Sequence, residues 1–325
     1  MPDVPDLAEL CGPVFYMTSK PVAKDAQEDE IIASIFNAGL WASNDGGDSW
    51  HELANGKGSA KVNNRAASIV FDPFDADNFW ESGHYGPGVL ETTDAGKTFT
   101  QLSDIMHMDG VSVDFSDSER KTLLVAGHES GNVFKSVDAG ATWDDLTSTL
   151  PKGTKYCRYP LIFDSSTFLL GCGGYVDPGT PGTLLSTDAG KSWDVVAKNG
   201  GGAEPLWAAD DSVYQPKEGD GGYLRSTDHG ATWTDLGGYK VLLPVKPLEL
   251  PDGRVASLTE DAVVLSSDDG KSWKRVTAKL PFKPAGFTYA PVQKAFFIYR
   301  FGCYGTATPA AGDEIQRFDF DYESY

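Results

Sequence analysis

Three of the five histidines in this chain are predicted to lie in neighbouring loops, where their imidazole groups can do chemistry. They are His84, His107 and His128. An imidazole transfers protons near neutral pH, and a neutral imidazole binds transition metals. With Asp109 or Glu129, three imidazoles suit zinc or a similar ion. Three interpretations stay open: acid–base catalysis by these histidines, a metal site that holds zinc or calcium, and exposed histidines on glycine-rich loops.

Aromatic and cationic side chains accompany these histidines in the predicted loops. Arginine pairs a carboxylate through two parallel hydrogen bonds, and arginine, histidine and aromatic rings together suit a sugar that carries a carboxylate. The remaining predicted catalytic residues are Tyr85, Tyr175 and Arg158. The predicted substrate-binding residues are Arg65, Arg300, Tyr304, Trp207 and Tyr159. For Trp207, the core of an inner strand is the favoured alternative. No organic cofactor is required.

A repeated motif of eight residues indicates how these loops are positioned. The pattern S/T-x-D-x-G-x-S/T, followed by Trp or Phe, occurs six times at intervals of 40 to 50 residues. Its aspartates are Asp45, Asp94, Asp138, Asp188, Asp228 and Asp268. The Asp carboxylate accepts the N–H groups of a tight turn, the glycine adopts positive φ, and the aromatic ring packs between sheets. These aspartates are therefore predicted to be structural.

The interval between copies predicts the fold. A period of this size, with short apolar runs between copies, is typical of a propeller of four-stranded antiparallel blades. Over about residues 31–276 the segments resemble the Asp-box (BNR) repeats of sialidases, xyloglucan-cleaving glycoside hydrolases, sortilin-type receptors and a photosystem II assembly factor. The resemblance implies the fold and says little about function, because these proteins share a hairpin and little chemistry.

The number of blades follows from the spacing. The residues before Asp45 and after Asp268 amount to two further intervals, so we predict an all-β, seven-bladed β-propeller with six Asp-box hairpins, formed by residues 1–325 as one domain. Residues 294–300 and 314–320 are predicted strands of the blade that lacks the motif, and residues 13–18 start the first blade. Either terminus is expected to lend the outer strand that closes the ring.

Four cysteines bear on the cellular compartment. Cys157 and Cys172 are predicted on adjacent antiparallel strands, and Cys11 and Cys303 on the blades that meet at ring closure. Two disulfides would indicate an oxidising compartment, so a secreted or periplasmic location is expected, although no signal peptide is visible. The alternative is four buried thiols in a cytosolic protein. No apolar run is long enough for a membrane span.

The net charge of −20 excludes one class of partner and its distribution favours another. Nucleic-acid binding requires a basic surface, so no nucleic-acid partner is expected. The six predicted connections between blades carry eleven basic and three acidic residues, which favours an anion-binding mouth around the propeller axis. The alternative is that these lysines only solubilise loops. We expect a monomer whose partner is an acidic oligo- or polysaccharide.

These observations predict a polysaccharide lyase that acts by β-elimination on a uronate. Elimination needs a base, such as His or Tyr, and a cationic group that stabilises the enolate-like charge, here Arg158 or Arg65. The alternatives are a non-catalytic binding or assembly propeller and a glycoside hydrolase. Hydrolysis needs two carboxylates at a defined separation, and the spacing of Asp109, Glu129 and Asp177 singles out no pair. Sialidase chemistry fits poorly, since the arginine motif that precedes the first repeat in sialidases is absent there.

Overall fold

A computed structural model of the chain shows seven antiparallel β-sheets arranged as the blades of a ring, which confirms the predicted seven-bladed propeller. The structure describes residues 14–22, 26–35, 38–62, 65–84, 86–128, 131–173, 182–219, 221–237, 242–300 and 315–325. Two short 3-10 helices, Ser59–Lys61 and Thr147–Thr149, lie in connections between blades. No helix in these ranges is long and apolar enough to cross a membrane.

The strands follow one another from the inside of each blade to its outside. Blade 1 consists of β1 (Val14–Ser19), β2 (Ile31–Ile35), β3 (Gly39–Ser43) and β4 (His51–Glu52). Blade 2 consists of β5 (Arg65–Asp72), β6 (Asp75–His84), β7 (Val89–Thr92) and β8 (Thr100–Gln101). Blade 3 consists of β9 (Gly110–Val113), β10 (Leu123–Gly127), β11 (Asn132–Ser136) and β12 (Asp144–Asp145). Blade 4 consists of β13 (Cys157–Ile162), β14 (Phe168–Cys172), β15 (Thr183–Ser186) and β16 (Asp194–Ala197).

The remaining blades repeat this order. Blade 5 consists of β17 (Leu206–Trp207), β18 (Val213–Pro216), β19 (Tyr223–Ser226) and β20 (Thr234–Asp235). Blade 6 consists of β21 (Leu248–Glu249), β22 (Val255–Leu258), β23 (Val263–Ser266) and β24 (Lys274–Arg275). Blade 7 has three strands among the described residues: β25 (Gly286–Ala290), β26 (Ala295–Tyr299) and β27 (Ile315–Asp319).

Each blade is an up-and-down meander, and this connectivity separates two faces of the ring. Turns between the first and second strands and between the third and fourth strands lie on one face, which we call the repeat-turn face. Turns between the second and third strands, and the connections between blades, lie on the other face, which we call the mouth face. A residue at the end of a second strand therefore lies near the connection that enters the next blade.

The six repeated motifs form turns with the same hydrogen bonds. In the first turn, Ser43 Oγ donates to Asp45 Oδ1 over 2.9 Å, the Gly47 amide donates to Ser43 Oγ over 2.8 Å, and the Ser49 amide donates to Asp45 Oδ1 over 2.8 Å. The hydrogen bond from the Ser49 hydroxyl comes first among the causes that lower the pKa of Asp45 to about 2. Each carboxylate thus stays ionised and is occupied by its own turn.

Seven apolar clusters hold the ring together, one at each boundary between neighbouring blades. The cluster that joins the last blade to the first includes Val14, Ile31 and Phe297. Two hydrogen bonds reinforce this boundary, from the Ser19 amide to Thr288 Oγ1 over 2.8 Å and from the Gln293 amide to an Asp29 carboxylate oxygen over 2.7 Å. Among the described residues, the ring is closed by packing and by these side-chain hydrogen bonds.

The termini contribute to closure in one described way. After β27, the Phe320 amide donates to the Lys294 carbonyl oxygen, and Phe320 packs in the cluster between blades 6 and 7. Residues 320–325 form no fourth strand, so the C-terminus is not the donor. The alternative donor, the N-terminal segment before Val14, lies outside the described residues.

One of the two predicted disulfides is described. Cys157 and Cys172 are directly paired across β13 and β14, and they form a disulfide. The predicted bridge between Cys11 and Cys303 falls on residues that the structure does not describe.

Candidate functional site

The central channel of the ring opens on the mouth face as a cavity of about 330 Å3. Its wall is built from the inner strands and from the connections between blades. The charged and aromatic side chains on the wall are Phe15, Tyr16, His84, Asp109, Arg158, Tyr159, Glu204, Lys246, Phe287 and Tyr299. The channel therefore brings together residues from every part of the sequence.

Four residues of blades 2 and 3 form a compact group, which we call the histidine cluster: His84, His107, His128 and Asp109. Of these, His84 and Asp109 line the cavity. His84 is the last residue of β6, and His128 follows β10 directly. His107 and Asp109 lie in the connection that enters β9. All four positions belong to the mouth face, so the meander connectivity alone brings them close.

Asp109 is the centre of the histidine cluster, and its side chain is 3% exposed. Its Oδ2 accepts hydrogen bonds from His128 Nδ1 over 2.5 Å and from the His128 amide over 2.6 Å. Its Oδ1 contacts His84 Nε2 and lies 3.9 Å from His107 Nε2. One buried carboxylate thus faces a nitrogen atom of each of three imidazole rings.

The three imidazole rings also pack on one another. The His84 and His107 rings are stacked within 4° of parallel, with centroids 5.4 Å apart. The His128 ring lies 5.4 Å from that of His84 and 5.2 Å from that of His107, at inclined angles. Phe15 covers His84 edge-on, with ring centroids 5.0 Å apart. The rings are thereby fixed in position before any ligand arrives.

The backbone around the cluster is specialised to hold this arrangement. His107 adopts a positive φ of 65°, which is uncommon for a residue with a side chain. A Cβ atom on Gly127 would lie 2.0 Å from the His107 carbonyl oxygen, so only glycine fits there. The Asp109 amide donates to the Ala126 carbonyl oxygen over 2.9 Å, which ties the connection to β10.

The cluster keeps its carboxylate ionised. Burial raises the pKa of Asp109, but the hydrogen bonds from His128 and His84 outweigh burial, so its pKa lies well below the ordinary value. This balance follows from the hydrogen bonds that the charged form accepts. Asp109 is therefore an anion throughout the physiological pH range.

Arg158 and Tyr159 lie next to the histidine cluster, on β13. The guanidinium carbon of Arg158 lies 4.9 Å from the centre of the Tyr159 ring, in a cation–π contact. A Cβ atom on Gly110 would lie 2.3 Å from the Arg158 carbonyl oxygen, so this glycine lets β9 and β13 approach closely. The structure thus places Arg158, Tyr159 and His84 on one channel wall.

A second polar group lies elsewhere on the channel wall and was not found from the sequence. Lys246 Nζ forms an ion pair with Glu204 Oε1. Burial, followed by the charge of Glu204, raises the pKa values of Tyr16 and Tyr299 well above the ordinary phenol value. Both phenols are therefore protonated donors at neutral pH. Their strands were predicted, but no pattern distinguished channel-facing tyrosines from core tyrosines.

Other predicted site residues lie away from the cluster or outside the description. Arg300 stacks on Phe282, 5.3 Å from the ring centroid, and is not among the lining residues of the cavity. Arg65 begins β5 opposite His84 in the strand register. Predicted positions on residues that the structure does not describe are Tyr85, Tyr175, Tyr304 and Glu129.

The prediction for Trp207 requires a correction. Its ring lies 5.1 Å from that of Phe163 and 5.9 Å from that of His229, a residue of a repeat turn. Trp207 ends the two-residue strand β17 beside the turn to β18, on the repeat-turn face, and it is 37% exposed. It lies neither at the channel mouth nor in the core, because it is the last residue of β17 and lies beside the turn to β18.

The predicted cationic mouth is partly neutralised by ion pairs. Lys246 is paired with Glu204, and Lys283 Nζ lies 3.0 Å from Glu260 Oε1. A count of charges by loop includes both acidic partners, but it does not show which charges pair, because the partners lie on different loops. Of the charged residues that line the channel, Arg158 and Lys246 balance Asp109 and Glu204.

The donor atoms of the cluster fit one class of metal. One ligand atom each from His84, Asp109 and His128 lies within 4.8 Å of the other two. Imidazole with one carboxylate suits zinc and similar ions. Calcium takes six to eight oxygen ligands, which this set does not offer. Of the two predicted metals, the donor set fits zinc and not calcium.

Comparisons with known proteins identify the fold alone. No family model matches the chain, and no curated protein sequence matches it. YCF48 bound to D1 peptide is similar in structure, with 16% identity and a TM-score of 0.57 over 94% of this chain and 92% of that one. The GH74 xyloglucanase of Xanthomonas campestris has 16% identity and a TM-score of 0.56, over 90% of this chain and 52% of its own.

A third neighbour is a sensor protein. The extracellular domain of the two-component system BT4673 from B. thetaiotaomicron has 9% identity and a TM-score of 0.60, over 86% of this chain and 36% of its own. The chain thus spans about half of the xyloglucanase and about a third of the sensor domain. At these identities the likeness extends to the propeller and not to its chemistry.

Proposed function

We propose that the protein binds an acidic saccharide by its carboxylate in the central channel and cleaves it by β-elimination. The observation that carries this proposal is the shared wall on which Arg158, the histidine cluster and the channel tyrosines converge. Arg158 is the group that pairs with the substrate carboxylate, since a guanidinium recognises a carboxylate through two hydrogen bonds. The aromatic rings of the wall supply apolar surface for the sugar.

The reaction needs two proton transfers and one charge neutralisation. A base removes the proton on the carbon next to the carboxylate, a C=C bond forms, the neighbouring C–O bond breaks, and an acid protonates the leaving oxygen. Imidazole and phenol side chains perform such transfers. The channel wall carries His84 and the protonated phenols of Tyr16 and Tyr299. Arg158 stabilises the negative charge that develops on the carboxylate.

Hydrolysis is less well supported by the same wall. A glycosidase uses two carboxyl groups that are available to an acid and a base or nucleophile. Among the residues that the structure describes, the carboxylates that line the cavity are Asp109 and Glu204, and each is already engaged. Asp109 accepts hydrogen bonds from His128, and Glu204 is paired with Lys246.

A binding or assembly propeller is the second candidate. The observation that favours it is the near-complete mutual coverage between this chain and YCF48, one structure of which is bound to a peptide. In that case Arg158 and the channel mouth would bind an acidic segment of a partner without chemistry. The repeat turns support the further proposal that the chain belongs with Asp-box propellers, since all six share one hydrogen-bond pattern.

The location that fits this function is outside the cytosol. The Cys157–Cys172 disulfide favours an oxidising compartment, in which secreted and periplasmic proteins fold. Acidic polysaccharides are substrates found outside the cell membrane. We therefore propose a secreted or periplasmic protein that acts as a monomer.

The decisive experiment is an elimination assay on a panel of uronate-containing oligosaccharides. Elimination creates a C=C bond conjugated to the carboxylate, and its ultraviolet absorbance grows with time. We expect this signal for the native protein and its loss in Arg158→Ala. Arg275→Ala is the matched control, because Arg275 is an exposed arginine paired with Asp261 on an outer strand. No absorbance change on any uronate, together with binding that needs Arg158, would favour the binding propeller.

A further inference from the structure

We propose that His84, His107, His128 and Asp109 bind one divalent transition-metal ion, with zinc as the expected occupant. The inference concerns the role of the histidine cluster within the proposed function, and its geometric basis is independent of that function. The donor atoms come from three separate loops, at the end of β6, after β10 and before β9. They converge on the channel wall at the carboxylate of Asp109.

The cluster contains more imidazole than proton transfer requires. A general base needs one imidazole and one group that orients it. Here three rings face a single buried carboxylate, with centroids 5.2 to 5.4 Å apart. One cation bound among them would be shared by the three imidazoles and the carboxylate.

The donor atoms of the cluster lie within reach of a single ion. Ligand atoms about 2.0 to 2.1 Å from zinc at tetrahedral angles lie about 3.3 Å from one another. The three donor atoms of His84, Asp109 and His128 lie within 4.8 Å of one another, and His107 Nε2 lies 3.9 Å from Asp109 Oδ1. In the structure His84 and His128 bond directly to Asp109, so an ion held by all four residues would replace these hydrogen bonds. The set of three imidazoles and one carboxylate selects a transition metal over calcium or magnesium.

A metal ion would also change the charge of the channel. Without it, the formal charges of the residues that line the cavity balance. A divalent ion adds two positive charges beside Arg158, so the wall becomes a strong site for a carboxylate. Within the proposed reaction, the ion and Arg158 would neutralise the substrate carboxylate together. His84 would then be a metal ligand, and a residue other than His84 would be the base. Tyr16 and Tyr299 would remain the candidates for the acid that protonates the leaving oxygen.

Metal binding is tested directly with Co²⁺ and Zn²⁺. Protein treated with a chelator and freed of it is titrated with Co²⁺, whose visible absorption reports ordered coordination, and the bound Co²⁺ is then displaced by Zn²⁺. We expect one ion per chain and a higher melting temperature with Zn²⁺. In the double variant His84→Ala/His128→Ala we expect affinity to fall by at least about 10- to 100-fold, since the loss of outer-shell partners alone costs that much.

The two remaining histidines provide matched controls. His51 and His229 are exposed and lie outside the cluster, so His51→Ala/His229→Ala should bind Co²⁺ as the native protein does. Equal affinity in the native protein and in a folded cluster variant would overturn the proposal, as would loss of binding in the control pair. Far-ultraviolet circular dichroism shows whether each variant is folded. If the cluster variant is unfolded, the absence of a Co²⁺ spectrum in the native protein still decides against the site.

The metal site and the elimination activity can fail separately. Full elimination activity in chelator-treated protein that binds no Co²⁺ would refute the metal site and leave the proposed function standing. Tight binding of Co²⁺ without any reaction on uronates would refute elimination and leave the metal site standing.

Discussion

The repeat turns and the histidine cluster are both built on buried or hydrogen-bonded aspartates, but their partners come from different distances along the chain. In each repeat turn the Asp carboxylate is bonded to residues two and four positions away, as Asp45 is to Ser43 and Ser49. In the histidine cluster, Asp109 is bonded to His128, which lies 19 positions away. The turn is a local unit, whereas the cluster exists only when two blades have assembled.

This difference separates fold from function in the molecule. A local unit can occur six times along the chain, because each copy contains the residues that form its own hydrogen bonds. A site built from several loops occurs once, where the connections between blades happen to meet at the channel. The same fold can therefore carry many sites, and the repeats do not report which one is present.

The largest effect on stability should come from removal of the aspartate at the centre of the cluster. In Asp109→Ala, His128 loses two hydrogen bonds to a carboxylate that is 3% exposed. A hydrogen bond to a charged group contributes about 2 kcal/mol, so the loss of both should cost about 4 kcal/mol. Denaturant unfolding in the presence of a chelator measures this cost without a contribution from bound metal.

The matched control for Asp109 is Asp104, an exposed aspartate in the same connection between blades 2 and 3. Asp104→Ala should change the free energy of unfolding by less than about 0.5 kcal/mol. Equal effects for the two variants would show that the cluster is not a cooperative unit and would remove the contrast with the repeat turns.

The next largest effect should come from a glycine of a repeat turn. Gly140 has a φ of 85°, and a Cβ atom there would lie 2.8 Å from the Leu102 Cβ of the preceding blade. Gly140→Val should therefore combine backbone strain with overpacking, for a loss of about 3 kcal/mol. Gly153 has a φ of 91° with no atom within 4 Å of the same position, so Gly153→Val carries the strain alone. The difference in denaturation midpoint between the two variants isolates the packing between blades.

The sequence predicted the fold because its evidence is local. The six motifs, their spacing and the alternating strands around Phe297 and Phe318 are all visible within short windows. The count of blades and the strands near both termini were accordingly correct. The choice between the two termini as donor of the outer strand did not follow, because the packing of Phe320 against the core between blades 6 and 7 has no sequence signature.

The site was predicted only in part, because it depends on contacts between residues that are far apart in the sequence. The grouping of His84, His107 and His128 followed from assigning each to a mouth loop, and the structure places the three together. Neither the central position of Asp109 nor the pairing of Glu204 with Lys246 followed, because both depend on the relative position of different blades. Trp207 was misplaced because the length of β17, which decides its face, was not predicted.

A buried carboxyl without a charged partner sharpens the contrast with Asp109. Glu81 lies on β6, three residues before His84, and burial raises its pKa from 4.5 to about 8. Because the folded protein then binds a proton that the unfolded chain releases, stability is full below pH 4.5 and falls as pH rises towards 8. The loss should approach about 1 kcal/mol per pH unit within this window. The free energies of unfolding at pH 6 and about 8 should differ less in Glu81→Gln than in the native protein. If the free energy of unfolding changed with pH equally in both proteins, groups other than Glu81 would be responsible.

The smallest effect should come from a single repeat-turn aspartate. Partial burial raises the pKa of Asp228, but the hydrogen bonds from the Thr232 hydroxyl and amide outweigh it, so the pKa lies below its ordinary value. The folded protein thus favours the ionised form, and this contribution is present above the unfolded pKa and lost as pH falls through the folded one. Asp228→Ala should cost about 1 kcal/mol, comparable to the loss of a helix N-cap. The cost should vanish at low pH, where the carboxylate is protonated in both states. A larger cost that persists in acid would mean that the turn is coupled to its neighbours across the blade boundary. The repeat turns would then depend on residues outside the motif, as the histidine cluster does.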